Sequence, residues 1–91
     1  MIKHYNITIT GKVQGVFYRA STKEKAQELG IKGFVKNQPD GSVYLEAEGE
    51  FSSLEQLVEW CYKGPEKAIV EKVTKIEAPL KHFEKFTVQY F

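Results

Sequence analysis

The spacing of the apolar residues changes along this chain in an order that leaves few folds open. Over Ile2–Thr10, Tyr5, Ile7 and Ile9 alternate with His4, Asn6, Thr8 and Thr10, the period of a strand. Tyr18, Thr22, Ala26 and Leu29 then recur at helical spacing, with Gly30 as a stop. Ile31–Asn37 and Val43–Glu48 return to strand period on either side of Gln38-Pro39-Asp40-Gly41, a turn in which proline presets φ and glycine takes the left-handed position. A second helical stripe, Leu54, Leu57, Val58 and Cys61, ends at Gly64-Pro65. Two further strand-like runs follow, Ile69–Ile76 and Phe86–Phe91.

The order is β-α-β-β-α-β with an extra strand before the last. It predicts an α+β fold of the ferredoxin-like, split βαβ kind, an antiparallel sheet carrying both helices on one face. At 91 residues and 42% hydrophobic the chain can bury one core, so residues 1–91 are expected to form a single domain. Ser21 with Glu24 and Ser52 with Glu55 have the spacing of capping boxes. The first would start its helix just after Arg19, which leaves open whether Arg19 lies inside the first turn.

The junction between the first strand and the first helix is Gly11–Arg19, GKVQGVFYR in one-letter code. Glycines at 11 and 15 let a backbone turn tightly and aim successive N–H groups at one point, and the following helix adds the positive end of its dipole. Such a junction suits an anion. Arg19 is the only arginine among 13 Lys plus Arg. Its planar fork matches two phosphate oxygens at once, which a lysine ammonium cannot do. A surface arginine paired with one of the glutamates is the plainer alternative.

Topology adds a second residue. Strands joined by a crossover helix run parallel, so the end of the second strand, at Asn37, should face the loop leaving the first. With one strand between them the gap is roughly 10 Å, room for a phosphate, a water and the Arg19 side chain. A carboxamide there can accept from and donate to a water. By itself Asn37 is equally a turn-starting residue before Pro39.

Charge and cysteine content exclude several classes. The net charge is +1 and the lysines are scattered, so neither a nucleic-acid groove nor an anionic membrane has a footprint here. Cys61 is alone, which removes an internal disulfide and suits a reducing compartment. No apolar run reaches membrane length and Met1-Ile2-Lys3-His4 lacks a secretory signal, so a soluble, cytoplasmic protein is expected. His4 and His82 stand in no metal spacing and read as structural or surface residues. Glu46, Glu48 and Glu50 read as a row on the solvent face of the third strand rather than as an acid-base pair. Cys61 reads as core, Trp60 and Tyr62 as partial packing.

Together these residues resemble the acylphosphatase family. Ile9-Thr10 followed by GKVQGVFYR is similar to its first signature, and Gly33-Phe34-Val35-Lys36-Asn37, continued by Gly41-Ser42-Val43 and closed by Gly49, to its second. Gly64-Pro65 with Ala68 and Val70 is similar to a later segment. Tyr18 departs from the pattern, which usually has Phe before the arginine, so its hydroxyl needs a partner. The resemblance implies hydrolysis of a small acyl phosphate to a carboxylate and inorganic phosphate without metal or cofactor. Phosphate would be held by the N–H groups of Gln14, Gly15, Val16, Phe17, Tyr18 and Arg19 and by the Arg19 side chain, with Asn37 positioning the water.

The absence of a poised Ser, Cys, His or Asp in that segment fits phosphoryl transfer, which needs mainly positioning and charge stabilisation. A monomer is favoured. The C-terminal carboxylate at Phe91 is expected near Arg19, orienting it. Two other readings stay open: an RNA-binding module of the same topology, since Lys32-Gly33-Phe34-Val35 matches a fragment of that sheet signature, and a regulatory domain that binds a phosphorylated ligand without turnover.

Overall fold

In the computed structural model, which describes residues 1–90, the elements are β1 (Ile2–Lys12), α1 (Tyr18–Glu28), β2 (Lys32–Asn37), β3 (Val43–Glu50), α2 (Phe51–Lys63), β4 (Ile69–Ala78) and β5 (Phe86–Gln89). The five strands lie in the order β4-β1-β3-β2-β5. β1 pairs antiparallel with β3 and β4, and β2 antiparallel with β3. The α+β, ferredoxin-like order is therefore present, with one difference: β5 pairs parallel with β2, so the sheet is mixed. The strand added to the split βαβ order is also the last one, because β4 takes the edge beside β1 that completes the motif.

Periodicity becomes packing on the helix-bearing face. Ile7, Ile9, Val35, Val43 and Leu45 from the strands meet Ala26, Leu54, Leu57 and Cys61 from the helices, all fully buried. Burying one such aliphatic side chain contributes about 1.5–3 kcal/mol. The helix starts differ from the capping-box expectation. Neither helix has a side-chain cap: α1 begins after Phe17, and α2 begins straight out of β3 with Glu50 as its cap residue. With no linker between β3 and α2, the Phe51 N–H donates instead to the Met1 carbonyl at 3.0 Å. Glu55, freed from capping, accepts from Tyr5 and Lys75.

β4 and β5 stand at opposite edges, four strand spacings apart, roughly 19 Å. Residues 79–85 can cross that distance only nearly extended, so they run over the sheet face that carries no helix. This overturns the expectation that Glu46 and Glu48 are solvated: they are 6% and 5% exposed, while Glu50 is exposed as expected. The Glu48 carboxylate accepts from the N–H groups of Lys81, His82 and Phe83 and bonds His4 Nδ1 at 2.8 Å. Glu46 lies 3.1 Å from His4 Nε2 and 2.8 Å from Lys81 Nζ. His4, fully buried and stacked on Phe83, is thus a structural residue.

Candidate active site

Three strands share a direction: β5 is parallel to β2, and β1 and β2 are both antiparallel to β3. Their C-terminal ends therefore meet at one edge of the sheet. β1 delivers the loop at residues 13–17, β2 ends on Asn37, and β5 ends on Gln89 with Tyr90 next. Ile9 and Asn37 both pair with Val43, so one strand separates the loop's stem from Asn37.

The loop is pinned from inside and shaped from its backbone. Val13 and Val16 are buried in the core, which fixes its two ends. Gly15 has φ 74°, and a Cβ there would meet nothing, so glycine answers a conformational demand alone. Gly11 has another role than the one expected of it. It lies inside β1 at the register shift against β4, where a Cβ would come within 2.2 Å of the Ile69 carbonyl oxygen. The loop also gains a brace that the sequence did not disclose: the Gln14 carboxamide donates to the Gln38 and Ser42 carbonyls at 2.8 and 2.9 Å. That ties the loop to the turn following Asn37.

Phe17, at φ 64°, hands the chain into α1, and Ser21 N–H donates to its carbonyl at 3.0 Å. Arg19 is therefore in the first turn, which settles its position. The leading N–H groups of α1, on Tyr18, Arg19 and Ala20, have no intrahelical acceptor and point to the positive end of the dipole. Tyr18 turns inward, 1% exposed, and its hydroxyl donates to the Cys61 carbonyl at 2.6 Å. Burial, with the neighbouring Cys61 thiol, raises the phenol well above its ordinary range, and burial pushes the Cys61 thiol up to about 12. Neither group exchanges protons near neutral pH.

The Arg19 guanidinium reaches the end of β5. Nη1 donates to the Gln89 carbonyl at 3.0 Å, and the Tyr90 ring lies 4.6 Å from the guanidinium carbon. One of five N–H groups is used in that bond. Arg19, Asn37, Gly15, Phe17 and Tyr90 line one cleft of about 290 Å³. The expectation for the Phe91 carboxylate falls outside the described residues. No cluster of three or more His, Cys, Asp or Glu suited to a metal occurs among the described residues.

The acylphosphatase family model matches residues 5–88. The chain belongs to the acylphosphatase family. An acylphosphatase of Marinobacter nauticus is 53% identical over 78 residues, 86% of this chain and 85% of that one. Among solved structures, an acylphosphatase from Coxiella burnetii superposes with a TM-score of 0.94 at 41% identity, covering 97% of this chain and 93% of that one. One from Bacillus subtilis gives 0.94 at 32% identity, covering 99% and 100%.

In this acylphosphatase the two signature segments converge on a single cleft, and the residue that departs from the pattern, Tyr18, is buried with its hydroxyl on the Cys61 carbonyl. The RNA-binding and non-catalytic readings are not favoured. No helix among the described residues is long and apolar enough to cross a membrane. Sequence reasoning passed over Gln89 and Tyr90. Only the parallel pairing of β5 brings them to Arg19, and nothing in a four-residue run states which edge it will join.

Proposed function

We propose that this acylphosphatase hydrolyses a small acyl phosphate by direct attack of a water held at Asn37 on a phosphoryl group gripped by Arg19 and the loop N–H groups of residues 14–19. The observation that carries this reading is Arg19 itself, braced by Gln89 and Tyr90 in a cleft shared with Asn37 and the loop. A braced guanidinium costs no reorganisation as charge spreads over the phosphoryl oxygens.

The chemistry asks little more of the protein. Water forms the new P–O bond as the bond from phosphorus to the acyl oxygen breaks. The carboxylate leaves as a stable anion, so no acid is needed to protonate it. The water's proton passes to a phosphoryl oxygen of the substrate. Neither Arg19 nor Asn37 has to give up or take a proton in this scheme. We read residues 1–91 as one catalytic domain, acting as a monomer in the cytoplasm, with no nucleic-acid or membrane partner.

The test is release of inorganic phosphate from benzoyl phosphate with a chelator present, beside p-nitrophenyl phosphate. Rapid release from the first and none from the second is expected. Equal turnover of both, or loss of turnover with chelator, would sink the reading.

A further inference from the structure

Phe17 and Tyr90 line the cleft with Arg19, yet they stand 79% and 73% exposed. Large aromatic rings left in water forgo the stabilisation that burial brings. Phe17 also holds φ 64°, a region that bulky side chains avoid and that recurs where a site needs it. No tight contact of its own ring compensates, since most of that ring is bare. Tyr90 is fixed differently, its ring 4.6 Å from the Arg19 guanidinium carbon. One apolar surface is therefore registered against the cation that the proposed reaction uses.

The remaining wall is chemically plain. Ala20 adds exposed aliphatic surface, and among the described lining residues Arg19 alone carries a charge. Once a phosphoryl group neutralises Arg19, no other charged side chain among the described lining residues is left for the rest of the substrate. In an acyl phosphate the acyl carbon is bonded to a phosphoryl oxygen, so the acyl group must lie within a few ångströms of the phosphate. It has to run along this same cleft.

Given acyl phosphate hydrolysis at Arg19, we infer that Phe17 and Tyr90 form an acyl-group subsite selecting uncharged, apolar acyl groups, aromatic ones foremost. An aromatic ring finds two rings to pack on, edge or offset face. An anionic acyl group would bring a carboxylate to the negative faces of those rings, with no cation left to pair it.

The test compares kcat/KM of the whole protein for benzoyl and acetyl phosphate, and for butyryl and succinyl phosphate, in wild type, Phe17→Ala and Phe17→Lys. Wild type should prefer benzoyl over acetyl by roughly ten-fold, as one added apolar group in a pocket can give. Butyryl should exceed succinyl several-fold by the same reasoning. Phe17→Ala should shrink the benzoyl-to-acetyl ratio by about five-fold, whatever happens to absolute rates, because the phosphoryl part is common to both substrates. Phe17→Lys should raise succinyl relative to butyryl. Hydrolysis of all four with ratios near one in wild type, or ratios unmoved by either variant, would overturn the subsite and leave the proposed hydrolysis standing. No hydrolysis of any of the four would overturn the proposed hydrolysis itself, and the subsite with it.

Discussion

The Tyr18 hydroxyl donates at 2.6 Å to the Cys61 carbonyl, an acceptor that α2 cannot satisfy itself. The residue four positions on is Pro65, which has no N–H to give. The hydroxyl thus supplies the donor missing from the end of the helix, beside Gly64, whose missing Cβ leaves room for the Tyr18 ring. Removing it by Tyr18→Phe strands a buried carbonyl, which costs about 1–3 kcal/mol. Urea unfolding should show that loss while kcat for benzoyl phosphate stays close to wild type. Unchanged stability would mean that the Cys61 carbonyl has another donor.

Arg19→Lys keeps the charge and discards the fork. The single ammonium cannot bond Gln89, stack on Tyr90 and chelate two phosphoryl oxygens together. The expected loss is roughly 10²-fold or more in kcat/KM, the scale for removing one preorganised donor from a charge-stabilising site, with the circular dichroism spectrum intact. A variant within a few-fold of wild type would rule out the bidentate grip.

Asn37→Ala separates holding the anion from placing the water. Competitive inhibition by inorganic phosphate should be nearly unaffected, whereas kcat should fall by about 10²-fold, as when a positioning hydrogen bond is lost from the transition state. If phosphate inhibition weakens in step with kcat, Asn37 belongs to the phosphate cradle.

The buried acids set the acid limit of stability. Burial pushes the Glu48 carboxyl up, but the N–H groups of Lys81 and Phe83 together with His4 outweigh it and hold it below its ordinary 4.5. Burial likewise pushes the Glu46 carboxyl up, but Lys81 and Tyr44, with His4, outweigh it, so Glu46 also lies low. A depressed folded-state pKa means that the stabilisation is fully present above the unfolded value and is lost as pH falls through the folded one. Stability should therefore hold at neutral pH and decline below about pH 4.5. Glu48→Gln should lower neutral stability by about 1–3 kcal/mol and flatten that acid decline, Glu46 keeping part of it. Thermal melts from pH 7 to pH 3 report both, and an unaltered acid limb would assign the decline to other groups.

The helix-bearing side of the molecule was legible in the sequence because its signals are local. The stripe Leu54, Leu57, Val58, Cys61 is the buried face of α2, and Gly41, at φ 93°, is in the turn where proline and glycine put it. Arg19 and Asn37 were legible too, since a crossover helix forces the ends of β1 and β2 to one edge. What escaped depends on the seven residues at 79–85 and on where β5 goes. Glu46 and Glu48 alternate as any solvated strand would, and only the crossing segment turns them into buried acceptors. Gly11 looked like part of the loop because a bulge glycine and a loop glycine are indistinguishable until β4 comes alongside.

Arg19 and its brace at Gln89 are separated by 70 positions. During synthesis the catalytic loop, the first helix and Asn37 all emerge from the ribosome well before the strand that aims the guanidinium. A growing chain can therefore collapse around its signature segments and still lack the steering contact for the reaction, so competence would arrive with β5 rather than accumulate as folding proceeds.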